Sequence, residues 1–491
     1  MSNYLHRVNS FYINGQWVDA SSAKKLALLD PATEAPVADL AMGTADDVDR
    51  AVAAARTAFP AYSRTTAKER IELLTRILHI YTRREEEFAE AMRVEMGSPI
   101  TFSRHGQVVR GPAHLKELIR VLERFKFEVE RGTTRLRYEP IGVCGLITPW
   151  NWPINQIVVK IGPALAAGCT MVLKPSEFSA LSALLFAEVL EEAGVPPGVF
   201  NLVNGYGDEV GHAIAAHPDI DMVSFTGSTL AGIQVAKTAA ETVKRVAQEL
   251  GGKSANLLLE DADFDSAVAK GVAGCFTNSG QSCSIPTRML VPRTRIGQVI
   301  EQARAVAEAY VVGPTQDPET QLGPLVNRSQ FERVQKLIQS GIDEGAQLVT
   351  GGLGRPAGLE QGYFVKPTVF ANVSPEMRIA QEEIFGPVLS IIPYDSEEQA
   401  IQIANDTRYG LAAYVQSENQ ERARHVARQL KAGSVHINYP PADFGAPFGG
   451  YKQSGNGREW GEFGMIEYLE VKSMVGFCPS ETEFTNNKRS T

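Results

Sequence analysis

Val143-Cys144-Gly145-Leu146-Ile147 opens the stretch of chain that decides the fold, an apolar run ended by Thr148-Pro149. Thr170-Met171-Val172-Leu173 is a second run, and a helical pattern from Ala180 to Ala193 follows it. Val199-Phe200-Asn201-Leu202-Val203 and Met222-Val223-Ser224-Phe225 continue the series. Strands that are apolar at nearly every position and alternate with helices are covered on both faces, which predicts a parallel sheet in an α/β fold. The longest apolar stretch, Ile161 to Leu173, is too short to span a membrane and contains Pro163 and two glycines. It reads as a buried helix running into a strand.

Outward from this core, a second strand-rich region begins near Gly252. It contains Asn256–Leu259, Met289–Val291, Val388–Ile392 and Leu411–Val415. Upstream, Asp46 to Phe59 and Ala67 to Met96 carry apolar residues at helical spacing. Thr134-Arg135-Leu136-Arg137-Tyr138, in a basic segment from Lys126, alternates as an exposed strand pair would. Ile466 to Lys472 alternates as well, and such a strand near a chain end adds readily to a partner's sheet. Pro479 to Thr491 reads as a polar, loosely ordered tail.

A chain of 491 residues calls for two or three domains. A net charge of −9, with no Lys/Arg stripe, disfavours a nucleic-acid partner, and none is expected. The first residues lack the apolar run of a signal peptide, so the sequence predicts a cytoplasmic protein. Five cysteines without a Cys-x-x-Cys pair, and eight histidines without ligand spacing, argue against both a disulfide framework and a metal site. Cys144, Cys169, Cys275 and Cys478 read as small buried hydrophobes.

Cys283 differs from these in its neighbours. It follows Asn278-Ser279-Gly280-Gln281-Ser282 and precedes Ser284, a small-residue loop that reads as entering a helix. An ordinary thiol is only about 3% thiolate at pH 7, so a nucleophilic Cys283 needs its pKa lowered, as a helix N-terminus would do. Glu249 lies in Val246-Ala247-Gln248-Glu249-Leu250-Gly251-Gly252, which reads as a helix passing into a strand. A carboxylate there can serve as a general base, although a solvated helix-end glutamate is the plainer reading. Asn151 is wedged in Pro149-Trp150-Asn151-Trp152-Pro153, and alone it is a turn residue capping its own backbone.

Taken together, these segments resemble the active-site motifs of the aldehyde dehydrogenase superfamily, and the resemblance covers nearly the whole chain. It implies that Cys283 is the nucleophile, Glu249 the base that activates water, and Asn151 an oxyanion donor. Relatives that pass the acyl group to coenzyme A lack this glutamate, so its presence implies hydrolysis to the free acid. The implied activity is NAD-dependent oxidation of an aldehyde to its carboxylic acid, through a thiohemiacetal and a thioester on Cys283. A cysteine hydrolase working without nicotinamide and a non-catalytic binding protein are the competing readings. Acid release without cofactor reduction marks the first, and cofactor reduction with an aldehyde excludes the second.

For the cofactor, Gly205-Tyr206-Gly207 with Gly211 misses a dinucleotide fingerprint by one residue of spacing. Lys174-Pro175-Ser176-Glu177 and Phe225-Thr226-Gly227-Ser228 each follow a strand, where open α/β sheets bind ligands. The resemblance implies that Lys174, Ser176 and Glu177 take the adenosine ribose and that Gly227 and Ser228 meet the pyrophosphate. Ile147, Thr148, Pro149, Trp150, Gly207, Phe225 and Leu250 complete that side. Glu383 of Glu382-Glu383-Ile384-Phe385-Gly386-Pro387 is implied to hold the nicotinamide ribose and Phe385 to flank the ring. A carboxylate at Glu177 repels a 2′-phosphate, which favours NAD over NADP.

The substrate channel is expected to hold Trp152, Asn155, Gln156, Val159, Ser282, Ser284, Phe444 and Phe448. No arginine adjoins Cys283 to hold a second carboxylate. Phe448 stands where aminoaldehyde-specific relatives carry Trp, which disfavours betaine aldehyde. Glu459 matches a position associated with water or proton handling. The implied domains are an NAD-binding domain, Rossmann-like, over 8–120 and 141–250, and a catalytic domain over 251–455. An oligomerisation arm over 121–140 and 466–478 would build a homodimer or homotetramer.

Overall fold

The structure, a computed structural model, describes residues 5–478; the expected tail from Pro479 lies outside them. Five parallel strands form the centre of the larger sheet, in the spatial order Phe200–Leu202, Thr170–Lys174, Val143–Ile147, Met222–Thr226, Arg245–Glu249. The antiparallel pair Ser10–Ile13 and Gln16–Asp19 flanks one edge, and the two-residue strand Gly455–Asn456 flanks the other. Numbered along the chain, the five central strands run 3-2-1-4-5. The order therefore reverses between Val143–Ile147 and Met222–Thr226, and such a switch point opens a crevice at the carboxyl ends of the strands.

Local chemistry explains this course. Pro153 opens the helix Pro153–Ala167, where its missing N–H costs nothing, and Gly168 closes it in the left-handed conformation at φ 95°. The chain then enters Thr170–Lys174 directly, as read from the sequence. All residues of that helix and both adjoining strands are buried.

The second sheet runs Gln347–Thr350, Thr368–Ala371, Val388–Tyr394, Arg288–Pro292, Ala255–Leu258, Ala412–Gln416, Ser434–Ile437. It is parallel except for the first strand. Each strand expected beyond Gly252 is present. A third, three-stranded antiparallel sheet joins Glu128–Arg131, Thr134–Pro140 and Leu469–Met474. Among the described residues, no helix is long and apolar enough to cross a membrane.

Several expectations are corrected. The helical pattern Ala67–Met96 is two helices, Ala67–Arg83 and Glu85–Met96, because Arg84 leaves the helical region at φ −109°, ψ 10°. Ile466 ends the helix Gly461–Ile466, and the final strand starts only at Leu469. Glu249 ends a strand, not a helix, because parallel pairing with Met222–Thr226 overrides the helix-forming residues around it. Cys478 is partly exposed, unlike the buried Cys144, Cys169 and Cys275.

Candidate active site

Two sequence-distant loops meet at the carboxyl end of Val143–Ile147. The first, Thr148 to Trp152, runs from that strand into the helix behind it. The second, carrying Cys283, leaves the helix Phe264–Phe276 through a short turn and reaches the strand Arg288–Pro292. Cys283 thus sits in a turn after a helix, so the expected helix N-terminus is absent. Asn278, Ser279 and Gly280 hold left-handed backbone at φ 56°, 55° and 74°. Two consecutive non-glycine residues in that region persist only where their surroundings over-determine them. Here Asn278 Nδ2 donates to Asn151 O at 2.7 Å, Ser279 Oγ to Gly323 O at 2.9 Å, and Val326 N to Gln281 Oε1 at 3.0 Å.

The fit around Cys283 is close. A Cβ on Gly252 would lie 2.2 Å from the Cys283 carbonyl oxygen, and one on Gly280 would lie 2.1 Å from the Gly386 carbonyl. Glycine is required at both positions by backbone approach. Asn151 Nδ2 donates one hydrogen to Gln281 O at 3.0 Å, and Gln107 Nε2 steadies the Asn151 carbonyl at 3.2 Å. The amide is therefore fixed, with one N–H left over.

Two cavities meet at Cys283. One, of about 180 Å³, is walled by Pro149, Trp150 and Asn151 on one side and by Gly227, Ser228 and Leu250 on the other. Glu383 and Phe385 close it. Phe385 is held at φ 64° with its ring edge-on to Trp150 at 5.5 Å. Glu383 accepts from Gly252 N at 2.9 Å, and burial raises its pKa to about 7. Ser228 caps the helix Thr229–Ala239, its Oγ accepting from Ala231 N at 3.2 Å. Sequence reasoning missed Gln330 and Arg333 in this wall, since they lie on the distant helix Arg328–Asp343. Lys174, Ser176, Glu177 and Gly207 sit outside the cavity, at the ends of neighbouring strands of the same sheet. Lys174 is buried rather than a surface charge, and its Nζ lies 3.3 Å from Glu177. Ile147, Thr148 and Phe225 likewise stand behind the wall.

The other cavity, about 260 Å³, holds Trp152, Asn155, Gln156, Ser282, Ser284 and Phe448 as expected. Trp152 Nε1 donates to Ser282 Oγ. Val159 and Phe444 do not line it: Val159 is buried in its helix, and Phe444 packs on His114 and Trp460. Sequence reasoning missed Arg110, Tyr414, Tyr439 and Trp460. Trp460, stacked on Phe448 at 4.8 Å, returns to this wall the indole absent at position 448.

Glu249 lies just behind this junction. Its carboxylate lines neither cavity and faces Gly449, and both oxygens are buried without a hydrogen-bond partner. Burial, reinforced by Glu459, pushes its pKa well above the carboxylate range. Glu459 is itself tied to Lys160, which also reaches Ser224 Oγ at 2.9 Å. The Cys283 thiol is pushed up too, by burial first and then by Glu383 and Glu249, opposite to the lowering expected from sequence.

Comparison with known proteins agrees with this geometry. The sequence profile of the Aldehyde dehydrogenase family matches residues 17–474. The chain is 53% identical to a 3-succinoylsemialdehyde-pyridine dehydrogenase of a Pseudomonas species, over 95% of this chain and 98% of the relative. Aldehyde dehydrogenase C of Pseudomonas syringae, solved as a cysteine-to-alanine mutant with NAD+ and octanal, superposes with TM-score 0.96 at 55% identity, covering 97% of this chain and 98% of that one. A Mycobacterium tuberculosis aldehyde dehydrogenase solved with NAD+ gives TM-score 0.93 at 41% identity, covering 95% and 98%. With profile, sequence and structure in agreement over nearly its whole length, the chain belongs to the aldehyde dehydrogenase family.

Proposed function

We propose that this NAD-dependent aldehyde dehydrogenase oxidises its substrate while the aldehyde carbon is bonded to Cys283, and releases the acid by hydrolysis. The observation that carries this reading is the position of Cys283, a thiol at the junction of two cavities, beside a fixed amide and in front of a buried carboxylate.

The polar groups at the first cavity fit a dinucleotide. Thr226 Oγ1, in its wall, is buried without a partner, and Glu383 retains a second carboxylate oxygen. Lys174 and Glu177 would hold the adenosine ribose, Gly227 and Ser228 the pyrophosphate, and Glu383 the nicotinamide ribose, with Phe385 against the ring. When bound, NAD+ supplies the hydride acceptor and a cationic ring that favours thiolate over thiol. Cys283 Sγ, its proton released to solvent water, adds to the carbonyl carbon as the C=O electron pair moves onto oxygen. The spare N–H of Asn151 and the Cys283 backbone N–H then hold the oxyanion. Re-formation of the carbonyl expels hydride and leaves a thioester. Glu249, swung towards the junction, takes a proton from water as that water attacks; the C–S bond breaks and the leaving sulfur takes that proton from Glu249.

Two measurements test parts of this scheme. Asn151→Ala should lower kcat by about 100- to 1,000-fold, the loss of one oxyanion donor being worth about 3 kcal/mol. A near-normal kcat would remove Asn151 from the chemistry. Glu177→Ala should narrow the preference for NAD over NADP by about tenfold, one close charge repulsion near a protein surface. An unchanged ratio would place the 2′-hydroxyl elsewhere.

For the substrate we infer aldehydes with apolar or aromatic bodies. The tunnel walls Trp152, Phe448, Trp460, Tyr414 and Tyr439 support this, as do the octanal bound by one relative and the pyridine-bearing substrate in another's name. Rates of NAD reduction over an aldehyde panel rank the candidates. We also infer a homodimer or homotetramer, because both outer strands of the Glu128–Met474 sheet are open edges with exposed Val471, Val475 and Phe477 nearby. A cytoplasmic location is the reading that sparse, unpaired cysteines favour.

A further inference from the structure

Arg110, the first residue of the helix Arg110–Arg124, lines the tunnel that leads to Cys283. Its guanidinium lies over the Trp152 ring, 4.3 Å from the centroid, and Trp152 in turn bonds Ser282. One wall therefore runs from the nucleophile through an indole to a cation. Neighbouring arginines have carboxylate partners: Arg104 pairs with Glu86, while Arg120 and Arg124 pair with Glu117. Arg110 Nε donates to the Gly106 carbonyl at 3.2 Å, and among the described residues no carboxylate pairs with it. The one acid lining the tunnel, Glu459, is occupied by Lys160 at 2.5 Å. Burial acts on Arg110 without a compensating charge, lowering its pKa, yet a guanidinium does not give up its proton. Its remaining N–H donors are fixed on an indole in the tunnel wall and stand open to an acceptor that enters the tunnel.

We infer that Arg110 is a specificity-determining residue that donates to an oxygen acceptor, a carbonyl or carboxylate oxygen, placed several bonds from the aldehyde carbon of the substrate. The preferred substrates are then aldehydes whose apolar or aromatic body also carries an oxo group or a terminal carboxylate, ahead of the plain alkyl aldehyde of the same length. This rests on the aldehyde-oxidation reading above and adds the substrate class to it. A site built to hydrogen-bond a polar group rejects analogues lacking it more strongly than an apolar slot rejects an extra one.

The test compares three series of equal chain length with NAD+: alkyl aldehydes, oxo-aldehydes with the ketone moved along the chain, and semialdehydes ending in carboxylate. The quantity read is the ratio of kcat/KM for the best acceptor-bearing aldehyde to that for the alkyl aldehyde of the same length. Arg110→Met should lower this ratio by about 10- to 100-fold, mainly through KM, the worth of one charge-assisted hydrogen bond. Arg110→Lys should recover part of it, and Arg120→Met, on the same helix, should leave it unmoved. NAD+ binding by each variant reports an intact fold. Whichever acceptor series loses more identifies a neutral or an anionic group. The inference is overturned if the ratio survives Arg110→Met, or if all three series fall together, since Arg110 would then merely hold Trp152 in place. A wild-type protein that oxidises all three series equally overturns this inference alone. One that oxidises none overturns the aldehyde reading and this inference with it.

Discussion

Replacing Cys283 with Ala is expected to remove NADH production from every aldehyde, by on the order of 10⁴-fold or more, because no other group can supply the covalent bond. Among the described residues, neither the buried Cys144, Cys169 and Cys275 nor the partly exposed Cys478 lines either cavity, so none of them stands in reserve. NAD+ should still bind, since the walls of its cavity come mostly from other segments, and binding separates loss of chemistry from loss of fold. Rapid quenching of the wild type with aldehyde and NAD+ should find an acyl group on Cys283. Sustained turnover in the Ala variant, or product accumulating with no acyl group on that sulfur, would sink the covalent scheme.

Exchanging Glu249 for Gln should separate the two halves of the reaction. About one equivalent of NADH per site should appear in a burst, followed by a steady state slower by about 100- to 10,000-fold, the usual worth of a positioned base. Gln keeps the size of the side chain but cannot take a proton. The pH response follows from the same residue. A base works only when deprotonated, and burial beside Glu459 holds the Glu249 pKa well above the ordinary carboxylate range. Wild-type deacylation should therefore keep rising with pH above the range in which an ordinary carboxylate titrates, and the Gln variant should lose that rise. A linear time course at a near-normal rate would clear Glu249 of the role. A slow reaction without a burst would move it to the first half of the cycle.

What the sequence determined by itself was local. Uninterrupted apolar runs at Val143–Ile147, Thr170–Leu173 and Met222–Phe225 have one comfortable environment, the middle of a covered parallel sheet, and they were legible for that reason. The buried helix running into a strand over Ile161 to Leu173 was legible as an apolar stretch too short for a membrane, while its start at Pro153 came from the structure. Cys283, Glu249 and Asn151 stood out because their surroundings are short, unusual and close to a known pattern.

What only the tertiary structure decided involves residues far apart in the chain. Glu249 lies in a sequence that favours helix, and it becomes the end of a strand through pairing with Met222–Thr226. The directions in which Cys283 and Glu249 titrate depend on burial and on charges brought from afar, Glu383 and Glu249 for the thiol and Glu459 for the carboxyl, which no local window contains. Arg110, Gln330, Arg333 and Trp460 carry no motif, and long-range packing alone brings them to the cavities. Strands and nucleophile follow from near-neighbour chemistry, whereas the protonation and selectivity of the site arise where distant segments share one low-dielectric space.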